Sequence, residues 1–247
     1  MKTMTAADDA SRAGRAAQEE IEQLFRLDDE EAAELLLVRH AEPADGPEAS
    51  GEPLLSCAGL EQAERLARRL SDSWVERVVS APERRALQTA RLVAEAAGRP
   101  LSIDERLREI EFVPPSKGRG CAGERGYAKR FVEDPRWDAQ PGFASSQAFR
   151  RRVLMGLEEA LAAHPGRRVV VVTHGSVINA YASMLLGIKR DMFFAPDHAS
   201  ITVVRQWRDL YAVRCLNDTA HLEGARSSTA TFNRAFTVLN QTLNLAG

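Results

Sequence analysis

Two apolar runs that each end beside a histidine decide the fold of this chain: LLLVRH at residues 35–40 and VVVVTHG at residues 169–175. Short continuous apolar runs are typical of strands that are buried on both faces, as in parallel sheets. Open α/β sheets gather their ligands at the carboxyl ends of the strands. The two runs therefore predict parallel strands with a binding site where Arg39, His40 and His174 follow them.

Strand and helix patterns alternate along the rest of the chain. Further strands are predicted over 77–80, 101–103, 200–206 and 211–216, and helices over 56–70, 82–97, 127–132, 145–163 and 177–186. The last two strands form a closing pair around a short turn. Strands that alternate with helices predict an α/β fold, a three-layer α/β/α sandwich with a mainly parallel central sheet.

The chain divides into one main domain and two terminal segments. Residues 1–33 are rich in Ala, Glu, Asp and Arg, which predicts a helical or disordered extension. Residues 34–222 carry the alternating pattern and form the predicted domain. Residues 223–247 form a tail, where Phe232 and Phe236 fall at helical spacing and predict a helix.

Composition favours a soluble, cytoplasmic protein without a nucleic-acid or membrane partner. The 33 basic and 35 acidic residues give a net charge of −2, so no global charge attracts such a partner. No apolar run approaches the roughly 18 residues of a membrane span, and the N-terminus has no signal-peptide pattern. Cys57, Cys121 and Cys215 are widely spaced, as expected in a reducing compartment.

Five polar residues follow predicted strands and are expected to meet at one edge of the sheet. They are Arg39, His40, Arg85, Glu109 and His174. A phosphate monoester is close to a dianion, and two guanidinium groups bind its oxygens with charge-assisted hydrogen bonds. An imidazole can attack phosphorus, and a carboxylic acid can protonate the departing oxygen and later take a proton from water. The set therefore predicts phosphoryl chemistry.

A series of sequence blocks, in order, resembles the histidine phosphatase superfamily, whose fold is phosphoglycerate-mutase-like. The blocks are LLVRHAE (36–42), PLLSCAGLEQA (53–63), SAPERRALQTA (80–90), LREI (107–110), VTHG (172–175) and NDTAHL (217–222). Together they cover about residues 35–222. The resemblance implies that His40 is the nucleophile, that Arg39, Arg85 and His174 bind phosphoryl oxygens, and that Glu109 is the general acid and base.

Two details of this assignment have alternatives. Arg85, rather than Arg84, matches the Arg-Ala-x-Gln-Thr-Ala pattern of the family. Glu42 and Glu111 are rivals of Glu109 as the proton donor.

The resemblance implies no metal and no cofactor, and the chain has no HExxH-like or closely spaced Cys/His set.

The chain also departs from the family pattern on the side where the rest of a substrate would bind. No Asn occurs near Gly46, where many members carry one that donates to phosphate. FVPPSK (112–117) and GFAS (142–145) replace the usual motifs after the acid/base Glu and before the next helix. These changes leave the five polar residues intact and leave the natural substrate open.

A glycine-rich segment, GRGCAG at 118–123, matches the dinucleotide fingerprint GxGxxG in letters only. That fingerprint has meaning after a strand and at the start of a helix, and PPSK is a poor strand. A loop that covers the substrate, or a plain surface loop, is the preferred interpretation of residues 116–126.

The resemblance implies a phosphatase that hydrolyses small phosphate monoesters through a phosphohistidine intermediate. One alternative is a phosphoglycerate mutase, but the mutase-like segment after the acid/base Glu is absent from residues 110–118. A second alternative is a catalytically weak binding or regulatory protein on the same fold. The expected partner is a small phosphorylated substrate. Whether the chain is a monomer or a homodimer stays open.

Overall fold

The computed structural model describes residues 6–26, 32–45, 52–113 and 125–223. Its strands are β1 (Ala33–Arg39), β2 (Val75–Ser80), β3 (Leu101–Ile103), β4 (Arg168–Thr173), β5 (Ile201–Trp207) and β6 (Leu210–Asp218). Its α-helices are α1 (Ala6–Arg26), α2 (Cys57–Ser71), α3 (Arg84–Ala97), α4 (Arg125–Glu133), α5 (Ser146–Ala162) and α6 (Gly175–Leu185). Short 3₁₀ turns span Glu105–Leu107, Trp137–Ala139 and Ala220–Leu222.

The strands form one sheet in the order β3-β2-β4-β1-β5-β6. The first four in this order run parallel to one another, while β5 is antiparallel to β1 and β6 is antiparallel to β5. At the centre, β1 and β4 lie side by side with Arg39 paired to Thr173. The carboxyl ends of these two strands therefore meet, and the residues that follow them are neighbours.

The core covers both faces of the sheet. Successive side chains of a strand point to opposite faces, yet Leu35, Leu36, Leu37 and Val38 are all buried. The helices supply this cover: α2 packs against α3, and α5 packs against α6. The expected three-layer α/β/α sandwich with a mainly parallel sheet is confirmed.

Two helices begin at the edge of the sheet where the site was expected, but their first residues differ from the prediction. Helix α3 begins at Arg84 rather than at Pro82, because Glu83 has extended backbone angles of φ −63° and ψ 140°. Helix α6 begins at Gly175 rather than at the predicted residue 177. The prediction missed this first turn because Gly175 and Ser176 give no signal in the apolar period. Both starts place the first helical turn directly against a strand end.

The terminal segments are described in part. Helix α1 contacts β6. The predicted C-terminal helix and most of the glycine-rich segment lie outside the described residues. Among the helices that the structure describes, none is long and apolar enough to cross a membrane.

Candidate active site

The paired ends of β1 and β4 bring the two predicted histidines together. The His40 backbone N–H donates to the Thr173 carbonyl at 2.8 Å, which continues the strand pairing past the end of β1. The imidazole centroids of His40 and His174 are 5.2 Å apart. His40 is 4% exposed and His174 is 0% exposed, so the protein fixes both rings.

Arg85 connects the predicted residues to one another. It is the second residue of α3, and its Nε donates to His40 Nε2 at 3.2 Å. Its Nη2 lies 2.7 Å from Glu109 Oε2 and 3.2 Å from His174 Nδ1. One guanidinium therefore joins three residues that come from three different strand ends. Arg84, the alternative at this position, is exposed.

The hydrogen bonds of His40 assign the tautomer of its ring. Nδ1 lies 2.8 Å from the Ala41 carbonyl and donates to it, since a carbonyl can only accept. Nε2 then carries the lone pair, in agreement with the N–H that Arg85 directs at it. Burial is the main cause that holds the pKa of His40 well below its usual value, and the positive charges of Arg39 and Arg85 act in the same direction. The ring is therefore neutral, with Nε2 available as a nucleophile.

Arg39 lies at the same edge but has different contacts. Its Nη1 donates to the Pro196 carbonyl at 2.6 Å, and its Nε is buried without a hydrogen-bond partner in the described part of the chain. Burial is the main cause that lowers its pKa. The nearest heavy atoms around Gly175 include Arg39 Nε, so the first turn of α6 passes beside this guanidinium. Arg39 thus adds a positive charge at the edge of the site, close enough to interact with Glu109 and Arg85.

Of the three carboxylates considered as proton donors, Glu109 has the position that the role requires. Its Oε2 lies 3.7 Å from His174 Nδ1, and its side chain is 43% exposed, so both the site and water reach it. The Glu42 carboxylate instead accepts from Ser56 Oγ at 3.0 Å. Glu111 is exposed.

Two further residues belong to the site and were missed by sequence reasoning. Glu83 is buried and accepts from His174 Nε2 at 2.8 Å. His198 has its ring centroid 5.4 Å from that of His40. Burial, followed by the positive charge of Arg39, lowers the pKa of His198 to about 4, so the His198 imidazole is neutral near pH 7.

The signals for these two residues differ. Glu83 lies in the same strand-to-helix turn as Arg85, so the rule that selected Arg85 also points to it. His198 precedes β5, whose start reaches this edge only because β5 is antiparallel to β1. Sequence patterns predict a strand there but do not give its pairing partner.

The helices next to the site are held by side chains from the family-like blocks. Thr89 Oγ1 accepts from the Ala41 backbone N–H at 3.1 Å and donates to the Arg85 carbonyl at 2.9 Å. A Cβ on Gly59 would lie 2.0 Å from the Glu42 carbonyl oxygen, so only glycine lets α2 approach the loop after β1 this closely. These contacts fix the loop that carries the nucleophile relative to the helix that carries Arg85.

An aromatic cluster lies beyond Glu109, where the sequence departs from the family pattern. The rings of Phe112 and Phe143 are 4.8 Å apart, and Tyr127 lies 6.0 Å from Phe112. Phe112 remains 43% exposed.

Across the described residues, no group of three or more His, Cys, Asp or Glu side chains has the arrangement of a metal site.

Comparisons with known proteins agree with this geometry. The family model of the histidine phosphatase superfamily (branch 1) matches residues 35–219. Phosphoserine phosphatase 1 of Hydrogenobacter thermophilus is 32% identical over 200 residues, which cover 76% of this chain and 93% of that protein. A probable phosphoglycerate mutase GpmB of an Enterobacter species is 27% identical over 162 residues, 63% of this chain and 75% of the relative.

Solved structures share the fold. YhfR of Bacillus stearothermophilus superposes with a TM-score of 0.66 at 23% identity, covering 77% of this chain and 99% of that one. A mycobacterial glucosyl-3-phosphoglycerate phosphatase gives a TM-score of 0.63 at 24% identity, with 76% and 100% covered. The chain belongs to the histidine phosphatase superfamily, branch 1. The expected class of enzyme, a phosphatase acting on phosphoric monoesters, is confirmed with it.

Proposed function

We propose that this phosphatase hydrolyses small phosphate monoesters in two steps, through a phosphohistidine at His40. The observation that carries the proposal is the position of Arg85, whose guanidinium contacts His40, His174 and Glu109. Arg85 offers fixed, forked donors to the phosphoryl oxygens. The neutral imidazole of His40 can attack phosphorus, and the carboxyl group of Glu109 can protonate the ester oxygen that departs.

In the first step, the phosphoryl oxygens replace Glu109 and His174 as acceptors of the Arg85 N–H groups. His40 Nε2 attacks phosphorus, and the bond from phosphorus to the ester oxygen breaks. Glu109 gives its proton to that departing oxygen. The phosphorylated ring carries a positive charge, which the hydrogen bond from Nδ1 to the Ala41 carbonyl stabilises.

In the second step, the Glu109 carboxylate takes a proton from a water molecule, and the water oxygen attacks phosphorus. The phosphorus–nitrogen bond breaks, its electron pair returns to His40 Nε2, and inorganic phosphate leaves. The partial exposure of Glu109 supports this step, because water must reach its carboxylate.

We also propose that the reaction needs no metal and takes place in the cytoplasm. Arg85 and Arg39 provide the positive charge that a cation would otherwise supply. Cys57 and Cys215, the cysteines within the described residues, are free thiols, which suits a reducing compartment.

The relatives favour phosphoserine and other small, singly phosphorylated molecules as the first substrates to test, with mutase activity as the second candidate. The experiment is a panel of monoesters that includes phosphoserine and phosphoglycerate, with and without bisphosphoglycerate and with and without EDTA. We expect phosphate release that EDTA leaves unchanged. Transfer of phosphate between phosphoglycerate positions faster than its release would instead support a mutase. The absence of both would support a binding protein.

A further inference from the structure

Glu83 contacts both His174 and Glu109, two residues on which the proposed chemistry depends in addition to the nucleophile His40. It precedes α3, and its side chain is only 8% exposed. Its Oε2 accepts from His174 Nε2 at 2.8 Å, and its Oε1 accepts from the Glu109 backbone N–H at 3.2 Å. One buried carboxylate therefore contacts both the imidazole and the chain segment of the acid/base residue.

The bond to Glu83 decides which ring nitrogen of His174 faces the substrate. A carboxylate only accepts hydrogen bonds, so Nε2 must carry a proton. Nδ1 then points to the other side of the ring, 3.2 Å from Arg85 Nη2 and 3.7 Å from Glu109 Oε2. Because His174 is completely buried, it has no alternative partner in water.

Glu83 also supplies a negative charge at the back of the ring. Burial opposes its ionisation, but the hydrogen bond from His174, together with the backbone N–H groups of Glu83 and Glu109, outweighs burial and lowers the pKa of Glu83 to about 2. Arg108, whose Nη1 lies 3.8 Å from Glu83 Oε1, adds a cation on the outer side. Glu83 is therefore a carboxylate throughout the neutral range.

We propose that Glu83 is a positioning residue that holds His174 with Nε2 protonated and Nδ1 directed at the phosphoryl group, and that fixes the backbone of Glu109; this inference rests on the proposed function. When the dianionic phosphoryl group binds, His174 takes up a second proton from solvent at Nδ1 and donates it in a hydrogen bond to a phosphoryl oxygen. The negative charge of Glu83 stabilises the resulting imidazolium.

The ionisable groups that face His174 set the direction of the pH effect. Glu83 favours the imidazolium, Arg85 opposes it, His40 is neutral, and Glu109 holds the proton that it gives to the departing oxygen. Replacing Glu83 removes the carboxylate that lies 2.8 Å from His174 Nε2 and stabilises the imidazolium. The alkaline limb of kcat/KM should therefore move to lower pH when this carboxylate is replaced.

The test is the pH profile of Glu83→Gln, with Glu83→Asp as the conservative variant. We expect Glu83→Gln to lower kcat/KM on the order of 10²-fold and to shift the alkaline limb to lower pH. Glu83→Asp should restore the position of the limb. Glu105→Gln is the matched control, since Glu105 is an exposed carboxylate that also contacts Arg108, at 2.6 Å, and should change neither quantity.

A folded Glu83→Gln with the wild-type profile would overturn the inference. So would equal losses in the Gln and Asp variants without any shift of the limb, since that pattern indicates a purely structural role. Nitrogen NMR of the wild type gives a second test that needs no variant: His174 should be protonated at Nε2, and an Nδ1–H tautomer contradicts the proposal. If the wild type forms no phosphoenzyme and releases no phosphate, the proposed function itself fails.

Discussion

The phosphoryl end of the site and its substrate side are built in different ways. His40 and His174 follow two adjacent central strands, are buried, and have a hydrogen bond at each ring nitrogen. Phe112 and Phe143, on the expected substrate side, are joined by an isolated bridge, and Phe112 is 43% exposed.

The difference separates the chemistry from the choice of substrate. Groups that must hold a transition state need a rigid scaffold, and paired strands provide one. Phe112 and Phe143, which we expect to contact the rest of the substrate, lie on short connecting segments, and such segments vary more easily without damage to the core. The proteins in this family that act on different phosphate esters are expected to differ mainly on this second side.

The largest expected effect is at the nucleophile. His40→Ala should reduce turnover on the order of 10⁴-fold or more, because the covalent intermediate of the proposed reaction forms on the His40 ring. Steady-state phosphate release measures the loss. His164→Ala is the control, since His164 bonds to the Ala160 carbonyl at the end of α5, away from the site. Comparable activity of the two variants would disprove the assignment of His40.

Arg85→Ala should have the next largest effect. Loss of one preorganised charged donor costs about 10²-fold or more in kcat/KM, or roughly 3 kcal/mol. Arg84→Ala, which removes the exposed neighbouring guanidinium, should change kcat/KM little. Equal losses in the two variants would show that the phosphoryl group does not bind at Arg85.

Glu109→Gln should affect some substrates more than others. An alkoxide with a high pKa needs a proton as it departs, whereas nitrophenolate leaves adequately without one. Single-turnover phosphorylation by alkyl phosphates should slow about 10²-fold, and that by p-nitrophenyl phosphate less than about 10-fold. Glu42→Gln and Glu111→Gln serve as comparisons. If one of them shows the selective loss instead, that residue is the proton donor.

The smallest effect is expected on the substrate side. Phe112→Ala should change kcat for p-nitrophenyl phosphate by less than about 3-fold, because the aromatic cluster lies outside the phosphoryl contacts. It should change the order of preference among larger monoesters, measured as relative kcat/KM. Met155→Ala, an exposed apolar residue on α5, is the control. A large, uniform loss with Phe112→Ala would mean that the two regions are coupled.

That Arg85 lies beside His40, Glu109 and His174 could be predicted from the sequence, because each element that carries these residues has a local signal. The apolar runs of β1 and β4 mark buried strands, and the polar residues at their ends mark the edge where ligands bind. His198 could not be predicted in the same way, because its position depends on the antiparallel pairing of β5 with β1. The role of Glu83 depends on a side-chain contact with His174, 91 residues further along the chain.

If His40 carries the phosphoryl group during turnover, rapid quenching should trap the phosphorylated enzyme. The enzyme is mixed with an excess of labelled phosphate monoester, quenched in alkali within the first turnover, and digested for mass spectrometry. We expect an acid-labile, base-stable phosphate on the peptide that contains His40, and no such label in His40→Ala. Phosphate release without any labelled peptide, or label on a different residue, would contradict it.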